Sequence, residues 1–328
     1  MLATEEWFEQ RTFHHGQFSD IGELVRLKQG QGAKISVCLP TLNVAETVGQ
    51  CLRVLRTELV ERHPLIDQLC IIDSRSTDGT LDIAGAEGAE IFFDDEILTG
   101  MPPAAGKGEA LWKSIFVLEG DIIVWVDSDI ENIHPRFVYG LVGPLLAEPE
   151  IGYIKAFYER PLQDGGVLRP SGGGRVTELT ARPMLNLFWP ELAGFVQPLS
   201  GEYAGRRKVL ESIPFFTGYG VESGLLLDIL REFGLGSIAQ VDVEVRVHDN
   251  QELPSLSKMS FGILQAMFKR LQDEGKLDLK VEPSTVYNSF KRTGGSYRLE
   301  QSDVTVVERP PMVSLPEYRE VAEKRLGR

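Results

Sequence analysis

Four runs of near-continuous apolar residues constrain this 328-residue chain more than any other feature. They are "KISVCLP" (34–40), "QLCIID" (68–73), "AEIFF" (89–93) and "DIIVWVD" (121–127). A strand with one wet face alternates polar and apolar residues, whereas a strand covered on both faces does not need to. These runs therefore predict buried strands. Segments of helical spacing separate them. "AETVGQCLRVLRTELV" places Val48, Leu52, Leu55 and Leu59 on one face. "STDGTLDIAGAEG" offers Ser76 or Asp78 as an N-cap and Gly88 as a stop, and "GKGEALWKSIFVLEG" closes at Gly120. The alternation predicts an α/β fold built on a doubly wound, largely parallel sheet.

The second half is less regular. "EIGYIKAFYERP" reads as a strand, and "FVQPLSGEYAGRR" as a turn and a strand. "GVESGLLLDILREFG" is an amphipathic helix ended by Gly234. In "IAQVDVEVRVHDN", Val241, Val243, Val245 and Val247 take one face, with Asp242, Glu244, Arg246 and His248 on the other. Residues 256–276 look helical. The expected division is a lead-in (1–33), two subdomains (34–150 and 151–280) and a polar tail (281–328).

The formal net charge is −14, from 34 basic and 48 acidic residues, which disfavours a nucleic-acid partner. No apolar run approaches the roughly 20 residues of a membrane-spanning helix. The acidic start is expected to carry no signal peptide. Cys38, Cys51 and Cys70 contain no C-x-x-C pair, and they read as reduced residues of a cytoplasmic protein. The His14-His15 pair reads as solvated surface.

In doubly wound sheets, ligands bind beyond the carboxyl ends of the strands. Pro40-Thr41-Leu42-Asn43, Asp73-Ser74 and Asp127-Ser128-Asp129 all fall at such ends. Two carboxylates one residue apart repel each other, and a hard divalent cation, Mg²⁺ or Mn²⁺, would relieve this while drawing in a diphosphate. The alternative is a pair of loop-starting aspartates with no ligand. His248 could supply a further ligand as a neutral imidazole, or be an ordinary strand-edge histidine. "SGGGRVTEL" ends a glycine run with Gly174, Arg175 and Thr177 at a helix start, which suits a phosphate or carboxylate as well as it suits a linker. Lys107, between two glycines before a helix, can reach a diphosphate or phosphate, or be a solvated loop lysine. Glu222 opens a helix, where the dipole alone accounts for its charge.

Taken in order, "LPTLN", "IDSRSTDGT", "GKGEALWKS", "VDSD", "GGGRVTEL", "QPLSGEYA", "GYGVE" and "RVHDN" resemble the glucosyl- and mannosyl-3-phosphoglycerate synthases, retaining glycosyltransferases of the GT-A fold. The match runs from about residue 35 to 250. It implies a nucleotide-binding mixed sheet with an acceptor-binding second half. It also implies transfer of a hexose from a sugar nucleotide to the 2-hydroxyl of 3-phosphoglycerate, giving a precursor of compatible solutes or polysaccharide primers. By this resemblance Pro40, Thr41, Leu42, Ser74, Lys107, Asp127 and Ser128 hold the nucleotide, and Asp129 and His248 bind Mg²⁺ or Mn²⁺. Gly174, Arg175, Thr177 and Asn250 hold the acceptor. Leu199 offers its carbonyl near the acceptor hydroxyl, and Tyr219 and Glu222 surround the sugar. Asp129, Lys107, Leu199 and Glu222 would form the catalytic set, with no protein general base assigned. Relatives imply a homodimer. Val44 after Asn43, and Arg75 in "SRS", depart from the UDP-glucose pattern and favour GDP-mannose as donor, with UDP-glucose or GDP-glucose as the alternative.

A nucleotidyltransferase would need a glycine-rich basic signature after the first strand, and "LPTLNVAET" has none. A sugar-nucleotide-binding regulator without catalysis would have no need of an acceptor anion site.

Overall fold

The computed structural model describes residues 4–164, 167–169, 174–248 and 251–326. Helix α1 (Thr4–Arg11), strand β1 (Thr12–His14) and helix α2 (Ile21–Gln31) lead into the four expected strands and their helices. These are β2 (Ile35–Thr41), α3 (Val48–Arg56), β3 (Gln68–Asp73), α4 (Thr80–Ala86), β4 (Glu90–Phe93), α5 (Lys107–Val117) and β5 (Ile122–Trp125). Next come α6 (Arg136–Ala147), β6 (Tyr153–Glu159) and a small hairpin, β7 (Leu162–Asp164) with β8 (Val167–Arg169). Then α7 (Arg182–Phe188), β9 (Tyr203–Arg206), α8 (Arg207–Leu210), β10 (Phe215–Phe216), α9 (Val221–Phe233) and β11 (Ile238–Val245) complete the central region. The C-terminal part holds α10 (Leu253–Asp273), the hairpin β12 (Val286–Thr293) and β13 (Ser296–Asp303), β14 (Glu308–Arg309) and α11 (Pro316–Leu326).

The eight-stranded sheet has the order β1-β11-β6-β9-β5-β2-β3-β4. Its pairings are parallel except at β9, which runs antiparallel to both β5 and β6. Both faces are covered, as the continuous apolar runs require. One core packs Leu52, Leu55, Phe137 and Leu141 against the sheet, and the other packs Trp112, Trp125, Tyr203 and Leu225. Cys38, Cys51 and Cys70 are free and buried within these layers. No described helix is long and apolar enough to cross a membrane.

Three sequence expectations change. The lead-in is part of the sheet: β1 pairs with β11, and Trp7, fully buried, donates its indole N–H to the Ile238 carbonyl at 2.8 Å. The tail is folded rather than simply polar. Met312 and Tyr318 are buried in the core, while β12–β13 carries Phe290 (72% exposed) and Tyr297 (73%), so no buried apolar run announced its strands. The histidine pair is split: His14 is exposed, whereas His15 lies 2.9 Å from Tyr139 Oη and 3.2 Å from Glu244 Oε1.

The valine alternation also breaks. Asp242 pairs with Phe157 but Val245 with Glu159, so β11 carries one extra residue there, and Glu244 takes φ +69°. A bulge of this kind shifts every later side chain to the opposite face. Arg246 therefore turns inward, 3% exposed, instead of following Glu244 to solvent.

Helix α10 is tied to α9 and β14 by one guanidinium. Arg270 is 1% exposed, 2.7 Å from both oxygens of the buried Asp228, and 2.6 Å from Glu308. Arg270→Met leaves Asp228 buried without this partner, which should cost about 3 kcal/mol of unfolding free energy at pH 8. Burial already pushes the Asp228 carboxyl up to about 6 against the pull of Arg270. The deficit should therefore shrink as pH falls to 5 and the carboxyl, left with Arg231 at 3.1 Å as its cation, is neutralised, which urea titrations at the two pH values will check.

Candidate active site

The carboxyl ends of β2, β3 and β5 share one edge of the sheet. Because β9 is reversed, its beginning lies on that same edge, which brings Gly201 and Glu202 beside Asp127 just beyond β5. The fit is close: a Cβ on Gly201 would stand 1.9 Å from Asp127 Oδ2, so the carboxylate occupies the space a side chain would take. On the other side, Gly106 (φ +95°) opens α5, and a Cβ there would meet the Gly218 backbone at 3.0 Å. This approach carries Lys107 to α9. Its Nζ lies 2.5 Å from Asp127 Oδ1 and 3.1 Å from Glu222 Oε1.

Arg246, turned inward by the bulge, completes the cluster. Its Nη2 lies 2.6 Å from Asp129 Oδ1 and 3.3 Å from Asp127 Oδ2, and its Nε lies 3.0 Å from Glu202 Oε1. Glu202 is fully buried and also accepts the Tyr158 hydroxyl. The repulsion between the two aspartates is thus opposed within the protein by two cations. Burial works against charge on Asp127, but Lys107 and Arg246 outweigh it and hold the carboxyl at about 2. Burial also opposes the Lys107 charge, yet Asp127 and Glu222 raise its pKa above the usual lysine range. Burial pushes Glu202 up, with Arg246 pulling against it. Burial, then Arg246 and Arg160, hold His248 down at about 3, so its imidazole is neutral.

Beyond β2 and β3, polar side chains brace the backbone. The buried Asp73 accepts Thr41 Oγ1 at 2.7 Å, the Ser76 amide at 2.7 Å and Ser76 Oγ at 2.6 Å. Ser128 Oγ donates to the Pro40 carbonyl at 2.7 Å, and Ser74 Oγ to Asp94 at 2.6 Å. Asn43 (φ +53°) and Arg75 (φ +65°) adopt left-handed backbone at this rim. Arg75 pairs with Asp95 and Glu96 and lies 4.0 Å over the Phe93 ring. Leu42 is 57% exposed beside them, a flat apolar edge open to a ring.

On the opposite flank Gly174 (φ +77°) precedes Arg175, whose Nη2 donates to the Gln251 carbonyl at 2.9 Å, and Thr177 is buried. Tyr219 is 43% exposed. Leu199 sits in the turn before β9, and among the described residues no group donates to its carbonyl. Asn250 lies outside the described residues.

Direct polar contacts therefore unite Lys107, Asp127, Asp129 and Glu222, and unite Thr41, Pro40 and Ser128 with their braces. Among the described residues they do not link His248, Leu199, Tyr219 or Arg175 to the two aspartates. The donor chemistry of Asp129 and His248 suits Mg²⁺ or Mn²⁺: Asp129 is half exposed, only its Oδ1 accepts from Arg246, and His248 is neutral. Among the described residues, the trio of possible donor atoms that does converge within 4.8 Å is His14, His15 and Glu244. There His14 Nδ1 already accepts the Gly16 amide, and Arg136 lies 3.3 Å from Glu244. Arg246 was legible in the sequence only as a neighbour of His248. Asp73 reads as one of the polar strand ends without a role of its own, and Glu202 and Tyr158 were not singled out, though a glutamate between a glycine and a short apolar strand in "GEYAG" is a signal.

Asp127 should make stability acid-sensitive. Its folded pKa lies below the unfolded value of about 3.8, so its contribution is complete above pH 4 and is lost as pH falls towards 2. That loss should be about 2 kcal/mol. Asp127→Asn should flatten this part of the urea-midpoint profile between pH 4 and pH 2.

Comparison with known proteins places the site in context. A sequence profile described as glycosyl transferase family 2 matches residues 36–214. Glucosyl-3-phosphoglycerate synthase of Petrotoga mobilis is 53% identical over 96% of this chain and 97% of that protein. The crystal structure of mannosyl-3-phosphoglycerate synthase from Rubrobacter xylanophilus superposes with a TM-score of 0.86 at 42% identity, covering 95% of this chain and 98% of that one. Glucosyl-3-phosphoglycerate synthase from Mycobacterium tuberculosis, in complex with Mn²⁺, UDP-glucose and phosphoglyceric acid, gives 0.77 at 40% identity over 90% and 94%.

Proposed function

The chain belongs to glycosyl transferase family 2, and we propose that it moves glucose from a nucleoside diphosphate donor to the 2-hydroxyl of 3-phosphoglycerate with retention of configuration. The observation that carries this reading is the 53% identity, across nearly the whole chain, to a relative named glucosyl-3-phosphoglycerate synthase. The departures at Val44 and Arg75 favoured GDP-mannose. The weight now lies with the glucosyl alternative, because the Mycobacterium tuberculosis relative is complexed with UDP-glucose. The mannosyl reading is kept as second choice, supported by the TM-score of 0.86 to the Rubrobacter xylanophilus protein.

In this reading residues 34–150 bind the sugar nucleotide and 151–280 supply the acceptor side. The base lies along Pro40, Thr41 and Leu42, with Ser74, Asp127 and Ser128 on the nucleoside. Tyr219 and Glu222 flank the hexose. Gly174, Arg175, Thr177 and Asn250 take the phosphate and carboxylate of the acceptor, where Arg175 offers paired donors in a plane. Leu199 orients the attacking hydroxyl through its free carbonyl. Lys107, fixed between Asp127 and Glu222, stabilises charge on the leaving diphosphate. No side chain is assigned as general base, and the departing phosphate oxygen takes the hydroxyl proton. Asp129 and His248 would hold Mg²⁺ or Mn²⁺, which neutralises diphosphate charge when bound. The enzyme acts as a cytoplasmic homodimer in this reading.

The test is release of nucleoside diphosphate from UDP-glucose, GDP-glucose and GDP-mannose, each with and without 3-phosphoglycerate and Mg²⁺. Release from a glucose donor that needs both acceptor and metal is expected, while preference for GDP-mannose would restore the mannosyl reading. Asp129→Ala should abolish transfer while the protein stays folded. Arg175→Ala should raise the acceptor KM at least tenfold and leave the donor KM within about twofold, the pattern of a lost charge-assisted contact worth about 1.5–3 kcal/mol.

A further inference from the structure

Lys155 has no part in the contacts described so far, yet it is fully buried in β6. A lysine is rarely buried unless its charge is engaged. It stands opposite Tyr203 of β9, with Nζ 4.2 Å from that ring's centroid, and it donates to the Ser200 carbonyl at 2.9 Å. Burial brings its pKa down to about 7, with Glu222 and Glu202 pulling it back up. Its Nζ thus stands over the Tyr203 ring and 6.0 Å from the centroid of Tyr153, and among the described residues the hydroxyls of both tyrosines are buried without hydrogen-bond partners.

The acceptor of its hydrogen bond matters. The Ser200 amide donates to the Gln197 carbonyl at 3.1 Å, and the Gln197 side chain in turn donates to the Tyr158 carbonyl. A peptide unit is planar and trans, so fixing the Ser200 N–H fixes the Leu199 carbonyl pointing the opposite way. Lys155 grips the next carbonyl, and the residue after it is Gly201, against which Asp127 packs. Two successive peptide planes are thereby locked, one from each side.

We propose that Lys155 is a positioning residue for the transfer reaction: by holding the Ser200 carbonyl it fixes the turn that presents the Leu199 carbonyl. The inference rests on the role given to Leu199 above. It extends the site inward to a residue that touches neither substrate.

Lys155→Met keeps the volume and removes the donor. Hydrogen exchange of the backbone amides in residues 195–203, followed by mass spectrometry, should be at least tenfold faster in the variant, with other core peptides unchanged. With a donor and acceptor that the wild type turns over, kcat should fall on the order of 10²-fold, the scale expected of a misplaced reacting geometry, while the dissociation constant of the donor stays within about twofold. Gln197→Leu keeps the backbone carbonyl that accepts the Ser200 amide but cuts that residue's side-chain anchor to the Tyr158 carbonyl, and it should reproduce both effects in weaker form, so the proposal is judged even if Lys155→Met does not fold. Unchanged exchange would overturn it, as would faster exchange with a wild-type kcat. If the wild type transfers nothing to 3-phosphoglycerate, the acceptor reading fails instead, and the exchange comparison, which needs no substrate, still judges the pin.

Discussion

Asp127 and Asp129 stand one residue apart at the end of a buried strand, and the structure around them is organised by the need to hold both charges. Two unit charges a few ångströms apart in a partly buried site repel by several kcal/mol, far more than in water. Lys107 answers from the start of α5 and Arg246 from beyond the end of β11. Neither cation arrives by chance packing. Lys107 depends on the close approach of Gly106 to Gly218, and Arg246 depends on the one-residue bulge at Glu244. Lys107 meets a second carboxylate, Glu222, and Arg246 a third, Glu202, so the cluster is a chain of alternating charges rather than two isolated pairs.

That chain sets limits on what can change. Removing Lys107 or Arg246 takes a largely buried cation from its carboxylates, and such a lost partner costs more than the pair contributes. It also leaves the surface of the site with a defined polarity. The Asp129 side chain stays half exposed, while Glu202 and Arg246 lie beneath it. A divalent cation and a diphosphate would meet one accessible carboxylate carried on a buried and already balanced base.

Much of the frame was legible in the sequence because burial on both faces leaves a simple mark. The apolar runs around Val37, Ile71 and Val124 could be little else than central strands, and their polar ends pointed to one edge. The resemblance in ordered motifs carried the family. The hidden part was hidden for physical reasons. A bulge is one residue inserted in a pattern of period two, and in "VDVEVRVHDN" the alternation continues unbroken in the letters while the backbone reverses it at Glu244. In the letters Arg246 and His248 therefore share the polar face of Glu244, and nothing there marks the inward turn of Arg246. The β12–β13 hairpin was read as polar tail because it rests on no core, so its apolar residues never gather into a run. The lead-in was missed as sheet because β1 is three residues long.

The reversed strand explains why one edge can hold both halves of such a site. A wholly parallel sheet offers only carboxyl ends on its binding edge, and those carry Pro40–Thr41, Asp73 and Asp127. Reversing β9 between β5 and β6 presents the opposite end of a strand there, together with the turn that precedes it. Through that reversal Gly201 and Glu202 come to stand next to Asp127, although some seventy residues separate them in the chain. Helix α9 follows soon after, and its first turn delivers Glu222 to the far side of Lys107. The mixed character of the sheet is thus what lets residues from the irregular second half of the sequence face the strand ends of the regular first half.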